Sequence, residues 1–77
     1  MHFLNQIQLL KRIHNLIKRK ATGSPEQLAT RLDISRASVF RQIKILKMFG
    51  AKISYSHDRG SYVYEEEFIL NFFVDNY

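Results

Sequence analysis

Apolar residues at Phe3, Ile7, Leu10, Ile13 and Ile17, widened by Leu9 and Leu16, recur at the spacing of one helix face rather than the alternation of a strand. The pattern predicts a first helix from residue 3 to about residue 20, ended by Thr22 and Gly23. Ser24-Pro25-Glu26-Gln27 then restarts a helix: Ser24 can cap, Pro25 suits the first turn, and the Gln27 side chain can return a hydrogen bond to the cap. This second helix buries Leu28, Ala29 and Leu32. Asp33-Ile34-Ser35 interrupts the pattern, and Ser35 can cap a third helix that reaches Phe49, where Gly50 tolerates a positive φ. Val39, Ile43 and Leu46 form its inward stripe.

Beyond Gly50 the period changes to two. Ala51, Ile53 and Tyr55 share one face, Lys52, Ser54 and Ser56 the other, and residues 61–64 alternate again. His57-Asp58-Arg59-Gly60 between them reads as a hairpin tip, with Gly60 in the strained position. Residues 68–74 fit both a strand and a short helix, and the strand is taken as the expectation. The fold class is therefore α+β, a three-helix bundle followed by an antiparallel β-hairpin. Residues 1–64 form the domain, and residues 65–77 are a packing or dimerisation extension of it.

A chain of 77 residues fills one modest core and leaves no room for a separate ligand-sensing domain. It has no cysteine, which excludes disulfides and thiolate-bound zinc. No apolar run is long enough for a membrane span, and the N-terminus lacks the order of a secretory signal, so the expected location is the cytoplasm. The net charge of +5 is unevenly distributed: residues 1–50 carry ten Lys or Arg against two acids, residues 51–77 two against five. A basic helical part points to a polyanion as partner, weakly when taken alone.

The stretch from Leu28-Ala29-Thr30-Arg31-Leu32-Asp33-Ile34-Ser35 through Arg36-Ala37-Ser38-Val39-Phe40-Arg41-Gln42-Ile43 sharpens this. It resembles the helix-turn-helix of bacterial winged-helix transcription regulators of the deoxyribonucleoside-repressor and biotin-repressor type, and the likeness runs through the hairpin, over roughly residues 5 to 64. The family commonly has glycine where this chain has Asp33, a residue that tolerates the left-handed region better than most. The resemblance implies a winged helix-turn-helix fold, a double-stranded DNA partner and a role in transcriptional regulation.

On a helical wheel Ala37, Arg41, Lys44 and Met48 lie opposite the inward stripe, with Ser38 and Ile45 on one flank and Phe40 on the other. That side is the candidate major-groove surface. Arg36 and Arg41 can fork onto guanine edges or phosphates, Ser38 and Gln42 can hydrogen-bond bases or backbone, and Lys44 suits phosphate. Ser24 and Ser35 mark helix starts whose free amides suit phosphate oxygens. By resemblance the hairpin is a wing on an adjacent groove, with Lys52, His57 and Arg59 as contacts and Asp58 as a turn former. Lys18, Arg19 and Lys20 are equally read as phosphate contacts and as cations that complement the end of the first helix.

Other chemistry finds no support. His2, His14 and His57 lack ligand spacing, so no metal is expected, and His14 reads as a boundary residue. Glu65, Glu66 and Glu67 read as a solvated run. No nucleophile-base pair, phosphate-cradling glycine loop or paired-carboxylate cleft is present, so neither catalysis nor a cofactor is expected. Phe68, Leu70 and Phe72 either fold back over the first helix or, with Phe73, form a homodimer contact. A second functional class stays open: a winged-helix module that docks another protein through Phe40, Ile45, Met48 and the aromatic tail, without DNA.

Overall fold

The computed structural model describes residues 3–70, and the side chains of residues 5–70. Three helices, α1 (Phe3–Lys18), α2 (Pro25–Leu32) and α3 (Arg36–Met48), precede two strands, β1 (Ile53–Ser56) and β2 (Ser61–Tyr64). This is the expected α+β arrangement of a winged helix-turn-helix. The apolar stripes meet in one core: Leu10, Ile13 and Ile17 from α1, Leu28, Ala29 and Leu32 from α2, and Val39, Ile43 and Leu46 from α3, closed by Ala51, Ile53 and Tyr62. Ile7 is buried as well. The small side chain of Ala29 lets α2 and α3 approach closely, which fixes the angle at which α3 is held.

The helix starts follow their sequence signatures. Ser24 and Gln27 form a reciprocal capping box at α2, and the Ser35 side chain caps α3 by accepting from Ser38 N. All three helices also end alike, each closed by a residue in the left-handed region: Lys20 (φ 55°), Asp33 (φ 57°) and Gly50 (φ 105°). In each case the next residue's amide reaches back five positions, as Ala21 N to Leu16 O, Ile34 N to Ala29 O and Ala51 N to Leu46 O, so carbonyls that would otherwise be orphaned are satisfied. Asp33 thus fills the position where glycine is usual. Lys20 does so unannounced, and α1 stops two residues earlier than its apolar period implies.

The strands pair antiparallel, with Ile53 opposite Tyr64 and Ser56 opposite Ser61, leaving His57, Asp58, Arg59 and Gly60 as the tip. A buried polar node ties this hairpin to the helices. Thr22 N donates to Ser61 Oγ (3.0 Å), Tyr62 N donates to Thr22 Oγ1 (2.9 Å), and Thr22 Oγ1 donates to Gly23 O (2.9 Å). The loop between α1 and α2 is thereby pinned to β2, and the direction of the wing is set by hydrogen bonds rather than by apolar contact alone.

After β2 the pairing continues in register by one step, Glu65 N donating to Lys52 O at 2.8 Å, and the chain bends at residues 65–66. Residues 67–70 form neither strand nor helix, so the strand expected from residue 68 is absent over 68–70; Phe68 and Leu70 instead pack on the core while Ile69 points outward. Phe72 and Phe73 lie outside the described residues. The boundary position expected for His14 is corrected: it is 8% exposed, its ring lies against Tyr64 and Phe68, and its Nδ1 shares a 2.6 Å hydrogen bond with Tyr64 Oη. Burial, and then the nearby Lys18 charge, lower the His14 pKa from its ordinary value. Burial pushes the Tyr64 phenol up to about 12, so it stays protonated.

Candidate nucleic-acid interface

Because α3 buries Val39, Ile43 and Leu46, its opposite side is presented outward. Arg36, Ala37, Phe40, Arg41, Lys44, Lys47 and Met48 are all exposed, Met48 to 77%. A short polar chain orders the start of this side: Ser38 N donates to Ser35 Oγ (3.0 Å), Ser35 Oγ donates to Ser38 Oγ (3.1 Å), and Arg41 Nη1 donates to Ser38 Oγ (3.2 Å). Among the described residues neither Arg41 nor Lys44 makes an ion pair. The centre of the face therefore carries positive charge that no other described residue covers or neutralises.

Two carboxylates pair with cations expected to meet DNA. Glu26, in the first turn of α2, pairs with Arg36 at 3.2 Å, and the Arg36 guanidinium also lies over the Phe40 ring, 5.5 Å from its centroid. Tyr62 sits close enough to feel both charges. Its pKa is raised mainly by burial, with Tyr55 and Glu26 adding to the rise and Arg36 opposing it. Glu66 pairs with Lys52 at 3.0 Å, so the wing cation expected to meet DNA carries a partner from the acidic run. Both pairs are well exposed, at 60% or more of each side chain.

At the wing tip His57, Asp58 and Arg59 are exposed; Arg59 N donates to Ser56 Oγ (3.2 Å), and the His57 ring packs edge-on against Tyr55. Lys18, Arg19 and Lys20 are exposed at the end of α1, and Ser24 is half-buried as the cap of α2. Arg31, which the sequence did not single out, is fixed on the same loop by donating from Nη1 to Ala21 O at 2.7 Å.

Gln42 requires a correction. The expectation of an outward hydrogen-bonding residue fails, because its side chain is 4% exposed and its Oε1 accepts from Gln6 Nε2 of α1 at 2.6 Å. Gln42 lies on the edge of the inward stripe, where a polar side chain can be buried only with a partner. It joins α1 to α3 and leaves the face to Arg36, Ala37, Ser38, Arg41 and Lys44.

A family model described as an HTH domain, a helix-turn-helix, matches residues 5–61, well over half of the chain. The chain belongs to this family. No curated protein and no solved structure matches it significantly. The helix-turn-helix is a DNA-binding architecture of regulatory proteins, and α2 and α3 are its two helices here. Among the described residues of this helix-turn-helix protein no three His, Cys, Asp or Glu side chains gather as a metal site would require, and no helix is long and apolar enough to cross a membrane.

Proposed function

We propose that this helix-turn-helix protein binds double-stranded DNA with sequence preference and regulates transcription in the cytoplasm. In this reading α3 enters the major groove and the wing, residues 52–64, follows the adjacent backbone or minor groove. The observation that carries it is the exposed charge of Arg41 and Lys44, without an ion-pair partner among the described residues, at the centre of the outward face of α3. Arg36, Ala37 and Ser38 are the further groove-facing residues. Lys18, Arg19, Lys20, Lys52, His57 and Arg59, with the helix starts at Ser24 and Ser35, take phosphates. Residues 1–64 act as the binding unit and residues 65–77 as its extension. If Phe68, Leu70, Phe72 and Phe73 pair two copies, the two α3 helices sit about one DNA turn apart.

A salt titration on mixed duplex DNA tests the reading. With about six phosphates neutralised, affinity falls by roughly three decades between 50 and 200 mM salt, and Arg41→Ala reduces the slope by about one contact. Normal folding with no affinity for duplex at low salt refutes it. That outcome favours the second reading, a protein-docking winged helix. One observation speaks for this alternative: an apolar groove of about 480 Å³ between α1 and α3, lined by Ile7, Leu10, Gln42 and Ile45 with Arg41 at its edge.

A further inference from the structure

Among the exposed cations of α3, Arg36 is held by partners on two elements. Its Nη1 meets the Glu26 carboxylate of α2 at 3.2 Å, and its guanidinium lies over the Phe40 ring one helical turn on. Glu26 is itself well placed to hold something still, because it follows Pro25 in the first turn of a helix whose start is locked by the Ser24–Gln27 capping box. Among the described residues Lys44 has no such restraint.

The chemistry of the two side chains separates them further. Ammonium is a point charge that meets a phosphate from many directions. Guanidinium carries five N–H donors in a fixed plane, and reading the O6 and N7 acceptors of guanine needs two of those donors held in that plane. An arginine already restrained by a carboxylate and an aromatic ring loses less freedom on forming that pair, and a single bond to Glu26 leaves donors over for a base. The restraint comes at the expense of raw attraction, since Glu26 also repels phosphate.

We infer that Arg36 selects a guanine in the bound site and that Glu26, on the helix outside the groove, is the positioning residue that makes this selection sharp. The inference rests on the DNA-binding reading above and adds to it a division of labour: Arg36 reads, while Arg41 and Lys44 anchor.

The test compares wild type, Glu26→Gln and Arg36→Lys in selections from a random duplex library, followed by titration of the recovered duplex with its guanine replaced by 7-deazaguanine, which lacks the N7 acceptor. The Glu26–Arg36 pair is exposed, so Glu26→Gln leaves folding almost unchanged, and a urea midpoint checks this. Wild type prefers guanine by about tenfold or more at one position, and 7-deazaguanine there weakens binding by about tenfold. Glu26→Gln binds mixed DNA about twofold to fivefold more tightly at low salt, because a phosphate-repelling charge is gone, yet its guanine preference falls to about threefold or less. Arg36→Lys keeps the salt slope and loses the preference. A merely structural Glu26 would not move affinity and specificity in opposite directions. Retention of the full guanine preference by Glu26→Gln, a recovered site without guanine, or tolerance of 7-deazaguanine by wild type each overturns the inference while leaving DNA binding intact. Absence of duplex binding by wild type at low salt overturns the DNA-binding reading itself and the inference with it.

Discussion

Replacing Thr22 by Val tests whether hydrogen bonds hold the wing to the helices. Thr22 is fully buried, and its hydroxyl is the acceptor for Tyr62 N at 2.9 Å and a donor to Gly23 O at the same distance. Valine keeps the shape and removes both interactions together with the 3.0 Å contact between the Thr22 and Ser61 hydroxyls. Gly23 is partly exposed, so its carbonyl can turn to water, whereas the Tyr62 amide sits on a buried residue and is left without an acceptor. An orphaned buried donor costs about 1–3 kcal/mol, and about 2 kcal/mol is expected here. In a domain of this length, with a total stability of about 4–11 kcal/mol, that loss lowers Tm by about 8–16 °C. Thr22→Ser is the control: it keeps the hydroxyl and loses one buried methyl, costing about 1 kcal/mol. The assay is urea unfolding at constant m, followed by thermal melts. A loss for Thr22→Val equal to or smaller than that for Thr22→Ser would mean that apolar packing sets the wing, and the argument from the Thr22–Ser61 node would be wrong.

Two further outcomes are expected. Lys20→Gly, at φ 55°, relieves a left-handed strain that a lysine side chain tolerates poorly and raises stability by about 1 kcal/mol; Asp33→Gly, at φ 57°, gains less, because Asp accepts that region more readily, and thermal melts that rank the two in the opposite order contradict this account. His14 has a pKa lowered in the folded state, so the unfolded chain takes up its proton first: stability is intact above about pH 6.5, declines as the pH falls from there, and levels off below the folded-state pKa. Urea midpoints at pH 7.5 and 5.5 should differ for wild type, and the difference should shrink in His14→Gln.

Local signals were legible and distant partnerships were not. The three apolar stripes, the Ser24–Gln27 box, the Ser35 cap and the turn at Asp33 are each written within a few neighbouring residues, and each forms where the pattern places it. Lys20 carries no local mark of a left-handed residue. Its conformation follows from the need to close α1 and bring Thr22 to the hairpin, 39 residues away in sequence. Gln42 misled for a related reason: a polar residue at the edge of a stripe is outward unless something meets it, and what meets it is Gln6, 36 residues earlier. The pairs Glu26–Arg36 and Lys52–Glu66 likewise join different segments. Residues 68–70 carry large apolar side chains without a single period, so the core that receives Phe68 and Leu70, rather than the segment itself, decides its path.

The placement of the acids bears on how such a face can be both soluble and ready to bind. Were Glu26 and Glu66 near Arg41 and Lys44, each phosphate contact at the centre would first have to displace a carboxylate. They pair instead with Arg36 and Lys52, in pairs so exposed that each contributes about 0–1 kcal/mol. At that strength they offset little of the positive charge that the proposed reading assigns to α3. The two pairs differ in one respect. Among the described residues Lys52 pairs with Glu66 through a flexible ammonium, so in the proposed complex it exchanges a carboxylate for a phosphate at little cost, whereas Arg36 is also stacked on Phe40 and keeps its carboxylate. In the proposed complex the same kind of weak surface pair thus gives an exchangeable anchor at Lys52 and a braced reader at Arg36, and the distinction depends on the aromatic ring beside the guanidinium, not on the strength of either ion pair.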